Sequence, residues 1–222
     1  MLYKTRGIVF RFTKFRETSI IVTIFTETFG LQSYIVNGVR SKSARNKIAL
    51  YQPLTLLNLV VYHRENANLE RIKEISCFHP YRSLTSNIRK STLAMFLTEV
   101  LNKTVKEESH AIEIFAFLYQ SLVALDLLEE GYENFHLIFL LKLSRYLGFG
   151  AYHADEVMPG RVTDAETETA LRLLLTAEYD TPLKIDNMQR RTLLDMLLKF
   201  YTRHMDHLGE IKSVQVLREV LM

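Results

Sequence analysis

The amino-acid sequence predicts a two-domain chain, β then α: a small five-stranded barrel over residues 1–80, then an all-α helical bundle over residues 81–222. Three observations carry this. Up to about residue 78 the apolar stretches are short, rich in β-branched side chains and separated by turn signals such as Asn37-Gly38. His79-Pro80 then punctuates the chain, and beyond it apolar residues recur every third or fourth position. The charge divides at the same place. Residues 1–80 hold 12 Lys and Arg against 5 Asp and Glu, whereas residues 81–222 hold 16 against 20.

Taken in order, Gly7-Ile8-Val9-Phe10 and Ser19–Thr26 read as strands, and Leu31–Val36 as a third after the turn-like Glu27-Thr28-Phe29-Gly30. Gln52-Pro53 breaks the pattern, and Leu54–Tyr62 resumes it with Leu54, Leu56, Leu57, Leu59, Val60 and Val61. Asn66-Ala67-Asn68 turns the chain into Leu69–Ser76. There Leu69, Ile72 and Ile75 recur at a helical spacing, and the tight turn before them decides for a strand. Five strands in so short a chain fit a closed or nearly closed Greek-key barrel, the OB-fold being the commonest of that size.

In the second half, Leu84, Ile88, Leu93, Phe96, Leu97, Val100 and Leu101 form one face of a helix. Ser109 can cap a second, which carries Ile112, Phe115, Ala116, Tyr119, Leu122 and Val123 and ends by Glu130-Gly131. A third, Phe135–Leu147, is apolar nearly all round, the mark of a helix buried by several neighbours, and stops at Gly148-Phe149-Gly150. Thr163-Asp164 opens a fourth, Asp186 can cap a fifth running to about Asp206, and Ser213 can cap a short last one. Pro159 and Pro182 mark element edges, and no linker of low complexity interrupts the chain.

A 48% apolar content supports a packed core. With the single Cys77 no intramolecular disulfide can form, so a reducing compartment and the cytoplasm are the expected setting. No apolar run reaches the ~18 residues that span a bilayer, and Met1-Leu2-Tyr3-Lys4-Thr5-Arg6 lacks the apolar core of a signal peptide. Catalytic signatures are missing: no phosphate loop, no G-x-S-x-G elbow, no H-E-x-x-H pair. Cys77 near His79 reads as a small buried hydrophobe rather than a nucleophile. His204 and His207 lie one helical turn apart, and His153 lies near Asp155, but neither pair has the further ligands a zinc site needs. The expectation is a non-enzymatic protein with no cofactor and no metal.

What remains is a basic constellation. Asn37-Gly38-Val39-Arg40-Ser41-Lys42-Ser43-Ala44-Arg45-Asn46-Lys47 holds Arg40, Lys42, Arg45 and Lys47 and no acid, while Arg6, Arg11, Lys14 and Arg16 lie along the first strand and the turn after it. Basic clusters on neighbouring loops of a barrel can line one groove that follows a phosphate backbone. Phe10, Phe12, Phe15, Phe29 and Tyr34 are interleaved, and one or two can stack on unpaired bases while the others fill the core. The plain alternative is a solvated, flexible tip. Composition alone does not separate DNA from RNA, nor exclude a scaffold whose basic loop meets an acidic protein.

Lys4-Thr5-Arg6-Gly7-Ile8-Val9, Glu17-Thr18-Ser19-Ile20-Ile21-Val22, Phe25-Thr26-Glu27, Gly38-Val39-Arg40-Ser41-Lys42-Ser43 and Leu50-Tyr51-Gln52-Pro53-Leu54 resemble the N-terminal OB domain of the RecO family of bacterial recombination mediators. Gly209-Glu210-Ile211-Lys212-Ser213 resembles that family's closing segment. The resemblance implies an OB-fold followed by a helical domain, binding of single- and double-stranded DNA, and annealing of complementary strands. It also implies partnership with RecR, contact with the acidic C-terminal tail of single-strand DNA-binding protein, and loading of RecA. Lys4, Arg6, Arg40 and Lys42 fall inside the matching motifs; charge and spacing extend the DNA-contact set to Arg11, Lys14, Arg16, Arg45 and Lys47. Lys142 and Arg145 are candidate cations for the acidic tail. Many family members carry a four-cysteine zinc module after the segment that here reads Leu147-Gly148-Phe149. Gly150-Ala151-Tyr152-His153-Ala154-Asp155 has no cysteine, so a structural zinc is not expected.

Overall fold

The computed structural model describes residues 1–64, 67–106, 110–159 and 164–222, and within 42–46 the backbone only. Its first 77 residues form five strands: β1 (Leu2–Phe15), β2 (Ser19–Thr26), β3 (Gly30–Val36), β4 (Leu56–Tyr62) and β5 (Glu70–Cys77). They close into a barrel in the order β1-β2-β3-β5-β4. All pairings are antiparallel except that of β3 with β5. The five-stranded OB-fold barrel predicted from the sequence is thus present.

The inward row follows the two-residue period of a strand. Val9, Val22, Ile24, Leu57 and Val61 are fully buried in one cluster. Gly7 stands in this row because a Cβ there would come within 2.6 Å of Ile24 and 2.8 Å of Leu59. β1 is much longer than the Gly7–Phe10 expected, and a bulge between Val9 and Arg11 resets its phase. A second bulge, between Val60 and Val61, explains the helical spacing of β5. Leu59 pairs with Ile75 and Val61 with Ile72, so both isoleucines face the core although three residues separate them.

Between β3 and β4 the basic segment is no free tip. Lys42–Tyr51 is a 3₁₀ helix, and Val39 and Tyr51 are buried in the barrel core with Ile48 and Leu50 against it.

Seven α-helices follow among the described residues: α1 (Ile88–Thr104), α2 (Ala111–Leu127), α3 (Phe135–Tyr146), α4 (Ala154–Val157), α5 (Ala165–Thr176), α6 (Asn187–His204) and α7 (Ser213–Leu221). The chain resolves into two compact units, one of residues Met1–Tyr81 with Val105–Leu122, the other of Arg82–Thr104 with Val123–Met222. The first three turns of α2 therefore belong with the barrel.

In the second unit, α3 buries Phe135, Leu137, Ile138, Phe139, Leu140, Leu141 and Leu143, as its all-round apolar sequence predicts. Asp164 caps α5 by accepting from Thr167 N–H at 2.7 Å, and Asp186 with Gln189 forms a capping box on α6. The proposed cap Ser109 lies outside the described residues, as do Thr163 of the α5 start and Asn66 of the turn before β5. Ser213 is not the cap of α7. Lys212 holds that position, and the Glu99 carboxylate of α1 accepts from Lys212 N–H (2.9 Å), Ser213 N–H (2.8 Å) and Ser213 Oγ (2.7 Å). The single turn α4 was not foreseen, and Leu84 precedes α1 instead of sharing its face. Leu84 donates its N–H to Asp126, which also accepts from Arg82 and Ser83 N–H.

Candidate nucleic-acid interface

Part of the first predicted basic cluster meets the second at one end of the barrel. Arg40 donates its N–H to Thr18 O at 2.9 Å and its Nη1 to Arg16 O at 3.3 Å. Ser19 Oγ and Asn37 Oδ1 lie 3.0 Å apart and make a second link. Gly38, at φ +70°, makes the left-handed turn that delivers the segment, and Val39 anchors it in the core. The β1–β2 turn and the start of the 3₁₀ helix are therefore one surface.

Lys14 and Arg16 are exposed there with Glu17 between Arg16 and Thr18, Arg40 is half-buried, and Lys47 is exposed further along the 3₁₀ helix. Among the described residues none of the four is ion-paired with a carboxylate. Arg16 has φ +51° and its guanidinium lies 5.3 Å from the Phe15 ring. Positive charge left unneutralised on a pinned backbone is what a polyanion requires. The side chains of Lys42 and Arg45 lie outside the described residues, although their backbone belongs to the same helix.

The remaining members of the set lie elsewhere. Lys4 is ten residues up β1 from Lys14, roughly 33 Å along an extended strand. It is exposed on the outer face, and Arg11 beside Thr23 is also exposed. Arg6 is half-exposed but already engaged within the fold. Its Nε and Nη2 donate to the two Glu27 oxygens at 2.8 and 2.6 Å, and its guanidinium lies 5.1 Å from Phe115 and 5.7 Å from Tyr119 of α2, and 5.9 Å from Phe78. The hydrogen bond to Glu27, opposed by burial, raises the Arg6 pKa, and the same bond lowers that of Glu27. A phosphate would have to displace this carboxylate. Phe78, Phe115 and Tyr119 are conventional apolar residues in sequence, so nothing there announces the arrangement.

Of the interleaved aromatics, Phe10 and Tyr34 are buried, and Phe12 and Phe29 pack against the core. Phe29 stacks on His63 with centroids 3.9 Å apart. Phe15, half-buried beside Arg16, is the ring placed at the basic end.

In the second unit, Lys142 is ion-paired with Glu178 and lies 5.0 Å over the Tyr179 ring. Arg145 donates to Leu175 O at 2.7 Å and lies 5.5 Å over Tyr152. His204 lies 2.9 Å from the Phe200 carbonyl and stacks on Phe149, and no group of three potential metal ligands occurs among the described residues. No helix among them is long and apolar enough to cross a membrane.

Residues 1–81 match the family model described as Recombination protein O N terminal, and residues 85–168 match Recombination protein O C terminal. The chain is 36% identical over 236 residues to the DNA repair protein RecO of Flavobacterium johnsoniae, covering 99% of each. It is 34% identical over 240 residues to that of Bacteroides fragilis and 32% over 239 residues to that of Phocaeicola vulgatus, again over 99% of each. Full-length similarity, two successive family matches and a barrel followed by helices agree: the chain belongs to the RecO family.

Proposed function

We propose that this chain is a non-enzymatic DNA-binding mediator of recombination and repair. Residues 1–80 bind single- and double-stranded DNA, and residues 81–222 engage protein partners. The observation that carries the reading is the Arg40 link to Arg16 and Thr18, which joins the β1–β2 turn to the basic segment; Lys14, Arg16, Arg40 and Lys47 outnumber the one exposed carboxylate of that turn, Glu17, and none is ion-paired among the described residues. Neutralising phosphates lowers the repulsion between two backbones and leaves the bases free to pair, which is the physical basis for annealing.

Family membership supports RecR as a partner, with RecA loaded onto DNA coated by single-strand binding protein. The acidic tail of that protein would compete with Glu178 for Lys142, beside Arg145. The cytoplasm, on the nucleoid, is the site of action. A salt titration of oligothymidylate binding tests the reading on wild type and on Arg16→Ala/Arg40→Ala/Lys47→Ala. Affinity at low salt should fall, and the log–log slope should shrink by about 2, at ~0.7 per single-strand phosphate contact. An unchanged slope would refute the interface.

A further inference from the structure

At the far end of the barrel from Arg16 lies a second surface of a different kind. Among the described residues, every large apolar side chain that the barrel strands and loops expose is found here: Met1, Leu2, Tyr3, Tyr62 and Leu69. Cross-strand register explains the clustering. Leu2 pairs with Tyr62 and Tyr62 with Arg71, so an aromatic ring stands between an apolar and a cationic neighbour across three strands. Tyr62 is 46% exposed.

One pair further along, Lys4 faces Val60, and then Arg6 faces Asn58. A shallow recess of about 480 Å³ opens there, with Lys4, Asn58, Glu74 and Ser76 among its lining residues. Lys4, Arg64 and Arg71 are exposed and have no ion pair among the described residues, whereas Glu27 and Glu74 are taken up by Arg6 and Lys73. The uncompensated charge is positive.

We propose that this outer face of β1, β4 and β5 is a second track for single-stranded nucleic acid, an inference that rests on the DNA reading above. Tyr62 stacks on a base, Lys4 and Arg71 hold the flanking phosphates, and the recess takes a neighbouring base against Asn58. An extended acidic peptide fits less well, because it would engage the cations and leave the exposed Tyr62 ring between Leu2 and Arg71 without a planar group to stack on. The two tracks lie at opposite ends of β1, so one protein holds two strands at once.

The chain has no tryptophan, so full-length Tyr62→Trp carries a unique fluorophore at the proposed stacking position. Oligothymidylate of about 10 nucleotides, within the site size of one such barrel, should quench its emission. The quenching should survive Arg16→Ala/Arg40→Ala/Lys47→Ala and need about tenfold more oligonucleotide in Lys4→Ala/Arg71→Ala. Anisotropy of a labelled oligonucleotide, read in parallel, separates the two readings. Binding without any change in emission, or quenching abolished by the triple variant, overturns the second track and leaves the first. Failure of the labelled oligonucleotide to bind at all removes the DNA reading and this inference with it. A response to oligoglutamate in place of oligothymidylate overturns the nucleic-acid assignment of this face.

Discussion

The Arg40 guanidinium donates to the main-chain carbonyl of Arg16, a residue whose own backbone is left-handed at φ +51°. The carbonyl, not the Arg16 side chain, makes the joint. Charge and architecture can therefore be separated at this position. Arg16→Gly keeps the carbonyl and relieves the left-handed strain, which costs an L-residue about 1 kcal/mol. The variant should melt no lower than wild type in a thermal scan, yet bind oligothymidylate more weakly with a smaller salt slope. A drop in melting temperature would show that the Arg16 side chain over Phe15 holds the turn.

Glu27 matters in the opposite sense. Glu27→Gln should cost about 1 kcal/mol in urea unfolding, since a partly exposed pair is screened and one charge-assisted bond survives as a neutral one. Arg6 holds the folded-state pKa of Glu27 below its ordinary value. The pair's stabilisation is thus present above the ordinary carboxylate range and is lost as pH falls below it; in the variant that increment of acid sensitivity should be missing.

His136 on α3 is fully buried and edge-on to Phe96 at 6.1 Å. Burial, aided by the positive Arg190 and only partly opposed by the Glu133 backbone, pushes its pKa down to about 3. The unfolded chain takes up a proton near pH 6.5 that the folded chain refuses, so stability falls as pH drops from about 6.5 toward 3. His136→Phe should flatten that limb of the stability–pH curve. A limb that keeps its slope would place the acid sensitivity elsewhere.

Glu99 fixes the C-terminal helix. Burial alone would raise its carboxyl, but the Ser213 hydroxyl and N–H, the Lys212 N–H and nearby Lys103 outweigh burial and hold it below the ordinary value. Glu99→Ala leaves the first N–H groups of α7 unsatisfied, a loss of about 1–2 kcal/mol. Amide exchange across Ser213–Leu221 should accelerate several-fold while α3 stays protected. Uniform acceleration would mean that the helix is held by its apolar face alone.

The sequence made the barrel legible because β-branched runs and Asn37-Gly38 are strong local signals. The length of β1 was hidden because its ends, residues 2–6 and 11–15, are mostly exposed and largely polar, so only the buried middle at Ile8, Val9 and Phe10 reads as an apolar run. The Ile72–Ile75 spacing was misleading for a backbone reason, the bulge opposite Val60 and Val61. Asp164 and Asp186 are recognisable caps because the interaction is local, whereas Glu99 reaches α7 across 113 residues of sequence to Lys212. The basic cluster could be read as charge, but not which cations are free. Arg6 and Arg40 look alike in the sequence, and Glu27 sets them apart in the fold.

The contact of Arg6 with Phe115 and Tyr119 bears on how this barrel can be inherited. Two of the three aromatic rings over that guanidinium are encoded more than a hundred residues downstream, beyond a helix that belongs to the other unit. A gene fusion that borrowed only the first 81 codons would carry off Arg6 and Glu27 with Phe78 alone as cover. Such a fragment would leave the guanidinium open on the side that α2 covers, so a working transfer needs the segment up to Leu122 as well.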